Sequence, residues 1–385
     1  MKNLWTILPP LLSDNFGFTE VIRHSDGCGV IDDSGRFRVG GGHGGHRDGH
    51  RREEKHGEHG HHRDEKGRKG GKVNARVLVS GADAQDVTVG TRQKLLDAFD
   101  EANGQYQPSF VLFSAGPCGA MIGTDLHEIA DAVTQQYGLP AAAVDLTGQK
   151  TYDVGLSKTV EALAKLLAEG GNVLPGTVNI LGASGLDWAD EDVQNVTAWA
   201  QKQGYQVLSK PGAAVTAAQL KKMGMAQLNL VTSVSGMAAA KYLQAKFGTP
   251  YLAAAPFGSK TAEPCADSEK PADVLIIGEQ FTANAVRSTL ESGRMASSAD
   301  VATFYQLEKS LARSGDRKVK GEDEVRLLLN DPQYRTVIAD PILRPLLQRD
   351  CKWIDLPHRA LNTYSECRGI SLLGENLDNW LDKQF

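Results

Sequence analysis

Downstream of Arg76 the chain alternates short apolar runs with amphipathic stretches, and that alternation leaves few folds open to it. RVLVSG (76–81) is followed by TRQKLLDAFDEA, and PSFVLFS (108–114) by TDLHEIADAVTQQYG. In the latter, Leu126, Ile129, Ala130, Val133 and Tyr137 recur at the spacing of one helix face. Asp125 and Glu128 are placed to cap that helix and Gly138 to end it. AAAVDL, TVNILGAS, YQVLS, LNLVTS, PYLAAA, DVLIIGE and RTVIADP continue the series of strands, mostly with helical stretches between them. Strands this apolar are buried on both faces, which calls for mainly parallel sheets covered by helices. The expected fold class is α/β.

At 385 residues the chain is too long for one small core. Composition shifts near 170–171 and 265–271 divide it into three expected α/β domains: 1–170, 171–270, and 271–385 with a C-terminal helix. A hydrophobic share of 41% and a charged share of 23% are those of a globular protein in water. The net charge of −5 gives no general attraction to nucleic acid or membrane. The opening MKNLWTILPPLLSDN has a short apolar run broken by Pro9 and Pro10, without a small-x-small cleavage site. Five cysteines, odd in number and widely spaced, argue against a disulfide framework, and the expected location is cytoplasmic.

Repeated strand–turn–helix units bind ligands at the carboxyl ends of their strands. There the chain places SAGPCG, DLTGQ, GASGLDW, TSVSG and GEQ, small and Gly-rich turns that admit close approach. None is a GxGxxG fingerprint or a GxxxxGK[ST] phosphate loop, so nucleotide chemistry belongs elsewhere. Asp187 and Glu279 end strands at this crevice and are candidate acids or bases. His358, after a strand and Pro357, points towards the same crevice as Ser233. It is a candidate catalytic residue in a substrate pocket or as proton donor, with a hydrogen-bonded core histidine as the plainer reading. Cys351 and Cys367 read as structural, and His127 as a surface residue.

One stretch breaks the pattern. Residues 40–72 read GGGHGGHRDGHRREEKHGEHGHHRDEKGRKGGK and hold seven of the ten histidines. Imidazoles bind nickel, zinc and copper, so His43, His46, His50, His56, His59, His61 and His62 are candidate metal ligands. Their spacing is irregular and matches no structural zinc pattern. With almost no apolar residues the segment cannot bury a core, and it is expected to be a disordered loop. Weak nickel or zinc binding and an inert solvated insertion are both open. It is not expected to be the active site.

Taken in order, the strand-end turns resemble a known family. FSAGPCGAMIGTDLHEIADAV, LTGQKTYDVGLSKTVEALAKLL and VNILGASGLDW resemble the first two domains of the nitrogenase component 1 superfamily. LNLVTSVSGMAAAKYLQAKFGTPYL, VLIIGEQFTANAVRSTLES, VIADPIL and IDLPHRALNTYSECRGI continue the likeness, and ILPPLLSDNFGFTEVIRHSDGCGVIDDSG resembles the family's start. The resemblance implies three α/β domains and a pair of similar subunits, either a self-dimer or a pair with a homologous component 1 subunit. It also implies a [4Fe-4S]-type cluster at the subunit interface and electrons delivered by a separate ATP-dependent iron–sulfur reductase. Cys118 falls near a family cluster-ligand position. The turn that commonly supplies another thiolate reads DDSGRF here, with Arg36 in its place, and Cys28 lies eight residues earlier as a substitute. The plainer reading of both cysteines is a small buried hydrophobe. Ser233 aligns with the family's cofactor cysteine, and His358 falls near its cofactor histidine. A cubane needs about four thiolates, so one chain is expected to require a second. Two functions follow. One is an oxidoreductase subunit passing electrons to an unidentified substrate. The other is a non-catalytic scaffold, or a nickel- or zinc-handling partner of such a system.

Overall fold

The computed structural model of the chain describes residues 7–34, 76–258, 271–361 and 369–385. Arg36, the seven histidines of 40–72, Cys265 and Cys367 lie outside the described residues.

Thirteen strands form three sheets among the described residues. The first is built from β1 (Cys28–Asp32), β2 (Arg76–Val79), β3 (Val111–Ala115) and β4 (Ala141–Val144), in the order β2-β1-β3-β4. The second holds β5 (Leu174–Leu181), β6 (Gln206–Ser209), β7 (Ala226–Val231) and β8 (Tyr251–Ala253), in the order β6-β5-β7-β8. The third holds β9 (Val274–Ile277), β10 (Ala299–Thr303), β11 (Arg317–Lys318), β12 (Thr336–Ala339) and β13 (Lys352–Asp355), in the order β11-β10-β9-β12-β13. Every strand pairing within these sheets is parallel. The central strands β1, β3, β9 and β12 are buried at every position, as two-sided helix cover requires.

Each apolar run read from the sequence forms a strand. Helix Leu126–Tyr137 starts at Asp125, whose side chain accepts from the amides of His127 and Glu128, and ends at a left-handed Gly138. Strands β10 and β11 and helix Asp14–Arg23 were not anticipated. In β10, ADVAT breaks the apolar pattern with Asp300, whose carboxylate accepts from the Tyr334 hydroxyl at 2.8 Å.

One continuous apolar core joins the three sheets through Ile31 and Leu112, Ile180 and Val231, and Ile276 and Ile338. Helix Asp14–Arg23 crosses helix Tyr152–Leu167 so closely that a Cβ on Gly155 would lie 1.8 Å from the Asp14 carbonyl oxygen. A Cβ on Gly17 would lie 2.0 Å from the Tyr152 carbonyl oxygen. Only glycines allow that crossing. It fixes the first turn of the second helix, and with it Tyr152, beneath the crevice between the sheets. Among the described residues, no helix is long and apolar enough to cross a membrane.

Candidate functional site

The carboxyl ends of the second and third sheets face a common junction, and polar side chains converge there. Asp187 lies in the turn after β5, Glu279 after β9, Tyr305 after β10, Asp340 directly after β12 and His358 after β13. Tyr152 enters from the helix that bridges towards the first sheet.

His358 sits at the centre with its side chain 9% exposed. Its backbone amide donates to Asp340 Oδ2 at 2.7 Å, and the other Asp340 oxygen accepts from the Ile342 amide at 2.8 Å. This clamp holds the turn after β13 against the end of β12. His358 Nε2 lies 3.3 Å from the Tyr152 hydroxyl and 3.5 Å from Asp187 Oδ1, and Nδ1 lies 3.3 Å from the Tyr305 hydroxyl. The Tyr152 hydroxyl donates to Asp187 Oδ1. With that hydrogen committed, the Tyr152 oxygen keeps its lone pairs towards Nε2, while the Tyr305 hydroxyl faces Nδ1. The two tyrosine rings meet edge to face with centroids 5.0 Å apart. Burial, reinforced by the Asp187 charge, pushes the Tyr152 phenol well above its ordinary range. Burial does the same for Tyr305, with Asp153 as the next cause. Both hydroxyls therefore stay protonated and serve as donors.

Glu279 caps helix Gln280–Ser292. Its Oε1 accepts from the Val234 amide and its Oε2 from the Thr282 amide, both at 3.0 Å. Burial, and after it the charge of Asp187, raises its carboxyl from 4.5 to about 7. Two carboxyls in one desolvated junction, one of them titrating near neutrality, are equipped to hold and hand over a proton.

The remaining candidates fall into separate surroundings. Ser233 is fully buried, and its hydroxyl donates to the Gly182 carbonyl at 3.0 Å. A Cβ on Gly182, whose φ is +100°, would come within 2.5 Å of that hydroxyl. The Ser233 hydroxyl is thus occupied by the turn after the neighbouring strand β5, beside the Val234 amide that binds Glu279. Cys118 follows Pro117 in the first turn of helix Pro117–Ile122, half-buried, with its amide donating to Asp33 Oδ1 at 3.1 Å and its thiol to the Ser34 hydroxyl at 3.3 Å. Cys28 opens β1 rather than a turn. It is 2% exposed, belongs to an apolar cluster with Val30, Phe99 and Val111, and its thiol is pushed up to about 12 by burial.

Cys28 and Cys118 are not brought together. Cys28 pairs with Val111 at the amino end of β3, whereas Cys118 follows Ala115 at its carboxyl end. Four strand steps separate those ends, about 13 Å at ~3.3 Å per residue. A four-thiolate cluster does not fit one chain of this kind: Cys118 offers an accessible thiol, and Cys28 offers a protonated one in the core. Among the described residues, no group of three or more His, Cys, Asp or Glu side chains is arranged to hold a metal ion. His127 is exposed beside Asp145, 3.3 Å away.

Tyr152, Tyr305 and Asp340 were not singled out by sequence reasoning. Asp340 could have been: it follows an apolar run directly, as Glu279 nearly does. The tyrosines carried no such signal.

The geometry has relatives. A family model described as nitrogenase component 1 type oxidoreductase matches residues 56–263. The nitrogenase iron-molybdenum cofactor biosynthesis protein NifE of Clostridium pasteurianum is 26% identical over 180 residues, which is 45% of this chain and 38% of that protein. One subunit of the light-independent protochlorophyllide reductase of Nostoc punctiforme is 26% identical over 197 residues, 47% of this chain and 38% of that one. The matched regions thus span well under half the length of these curated relatives. Among solved structures, a chain of "Nitrogenase Cp1 at pH 5" superposes with a TM-score of 0.66 at 13% identity, covering 100% of this chain and 90% of that one. With the family model spanning more than half of its residues, the chain belongs to the nitrogenase component 1 type oxidoreductase family.

Proposed function

We propose that the chain is a subunit of a nitrogenase-like component 1 oxidoreductase, paired with a homologous subunit or with itself. An ATP-dependent iron–sulfur reductase supplies its electrons. The observation that carries this reading is the convergence of Asp187, Glu279, Tyr152 and His358 at the strand ends of the junction, in a chain of this family. Reduction consumes protons as well as electrons. In this reading Glu279 holds a proton near neutral pH, Asp187 fixes the Tyr152 hydroxyl, and His358 exchanges a proton with that hydroxyl through Nε2. Asp340 keeps the imidazole in place. Cys118 contributes one thiolate to a [4Fe-4S]-type cluster at the subunit interface, and the partner supplies the ligands that one chain lacks.

The test uses the full chain purified without oxygen, with its pairing subunit and reductase. Cys118→Ser should remove the brown charge-transfer absorption and the uptake of electrons from the reductase, while pairing and thermal stability persist. Retention of full iron content and an unchanged spectrum would rule Cys118 out as a ligand.

A second reading rests on the buried Cys28 thiol and the internally bonded Ser233 hydroxyl. In it the subunit is a non-catalytic scaffold or a nickel- or zinc-handling partner, with the histidines of 40–72 as ligands.

A further inference from the structure

A small cavity of about 20 Å³ lies at the junction of the second and third sheets, bordered by Asp187, Trp188, Glu279, Thr282 and His358. Three of its lining side chains carry a buried polar atom with no hydrogen-bond partner: Asp187 Oδ2, Trp188 Nε1 and Thr282 Oγ1. Buried polar groups are satisfied in nearly all folded proteins, and three orphans around one cavity point to an occupant.

Their chemistry restricts that occupant. An indole N–H only donates, an ionised carboxylate only accepts, and a hydroxyl does either. The occupant must accept from Trp188 and donate to Asp187. An anion would meet the Asp187 charge, and a metal ion would find no lone pair on the indole. The volume suits one water, which needs roughly 10–15 Å³ of such space. Glu279 adds an independent demand. The amides of Val234 and Thr282 that bind its two oxygens are donors, so a protonated Glu279 has no acceptor among them for its O–H.

We propose that this cavity binds one water molecule, which bridges Asp187, Trp188 and Thr282 and relays the Glu279 proton to Asp187. The transfer balances. Glu279 O–H gives its proton to the water, the water gives one of its own to Asp187 Oδ2, and the water is unchanged. Glu279 becomes the anion and Asp187 the neutral acid, one tyrosine hydroxyl away from His358. The relay needs neither cluster nor reductase, so it stands or falls apart from the redox reading.

Thr282→Val is the first test, since valine keeps the shape and removes only the hydroxyl. The backbone amide that binds Glu279 is untouched. If a water satisfies Thr282 Oγ1, the variant should melt at a lower temperature, and Thr282→Ser should restore most of the loss. If the hydroxyl is an orphan, removing it leaves the melting temperature unchanged or raises it, and the water is refuted.

The second test uses Trp188 as a reporter, taking the fluorescence difference between wild type and Trp188→Phe across pH. The titratable and charged groups that line the cavity with Glu279 are Asp187, Asp192, His358 and Arg359, with Asp340 on the His358 amide and the Tyr152 and Tyr305 hydroxyls beside the imidazole. A transition near neutral pH should appear in wild type, persist in His358→Gln and vanish in Glu279→Gln. No transition, or one abolished by His358→Gln and kept by Glu279→Gln, overturns the relay.

Discussion

Glu279 ties the stability of the junction to pH, and the sign follows from its shift. Its folded carboxyl is raised from 4.5 to about 7, so the folded state holds the proton more tightly than the unfolded chain. The resulting stability is fully present below about pH 4.5 and is lost as pH rises through about 7. That shift corresponds to at most roughly 3 kcal/mol. Urea unfolding of the wild type should therefore show stability falling from pH 5 to pH 8, and Glu279→Gln should flatten the fall. Burial raises Asp153 and Asp192 in the same direction, so a residual slope is expected in the variant. Identical slopes in both proteins would show that Glu279 is not protonated in the fold. Asp187 and Glu279 were legible in the sequence because each follows an apolar run and a glycine, where an acid has no packing reason to be. Tyr152 was not legible: a tyrosine at a helix start reads as an ordinary core residue, and its role comes from partners 35 and 206 positions away. Cys28 is the opposite case: the β pairing draws it into the sheet interior, which its neighbours Gly27 and Gly29 do not announce.

The crossing of helices Asp14–Arg23 and Tyr152–Leu167 is the element on which Tyr152 depends. Gly155→Ala would drive a methyl group to 1.8 Å from a backbone oxygen, which no side-chain rotation can relieve. A loss of about 3 kcal/mol or more in chemical denaturation is expected, because the two helices must part. A loss under ~1 kcal/mol would mean that the crossing yields easily and does not position the tyrosine. This contact was invisible in the sequence, since DNFGFTEVIR shows little helical patterning and its close neighbour lies over a hundred residues away. The strands were visible for a local reason. Two-sided burial forces a run such as VLFS or VLII to be apolar throughout, and such a run can be read without knowing what covers it. Strand β10 escaped because Asp300 finds its partner, Tyr334, in a distant loop.

At the scale of the molecule, three parallel sheets share one core, and the His-rich tract lies between two adjacent strands of the first. The seven imidazoles give the tract its expected nickel or zinc affinity, and its lack of apolar residues gives the core nothing to lose by its removal. Replacing 40–72 with a short Gly-Ser linker should leave the melting temperature within about 2 °C, by the rule that surface changes away from packed features shift stability little. It should also abolish most nickel uptake in calorimetric titration. Equal nickel stoichiometry in both proteins would dismiss the tract as a metal reservoir.

The parallel pairing of β1 and β2 sets a lower limit on that linker. Ser34 lies beside Ala82 at one end of the pair, and Arg76 lies beside Cys28 at the other. The chain must therefore travel back the full length of the strands before it can re-enter the sheet, a return of about 20 Å at ~3.3 Å per residue. Simple excision of 40–72 would leave only 35–39 and 73–75, eight residues, for that return. Eight extended residues reach ~28 Å in a straight line. A parallel connection, however, must climb over one face of the sheet and normally takes a dozen or more residues. An excision without filler would pull β2 out of register or off the sheet edge. The shortest tolerated spacer, found by stepwise trimming, would then measure the path between the two strands.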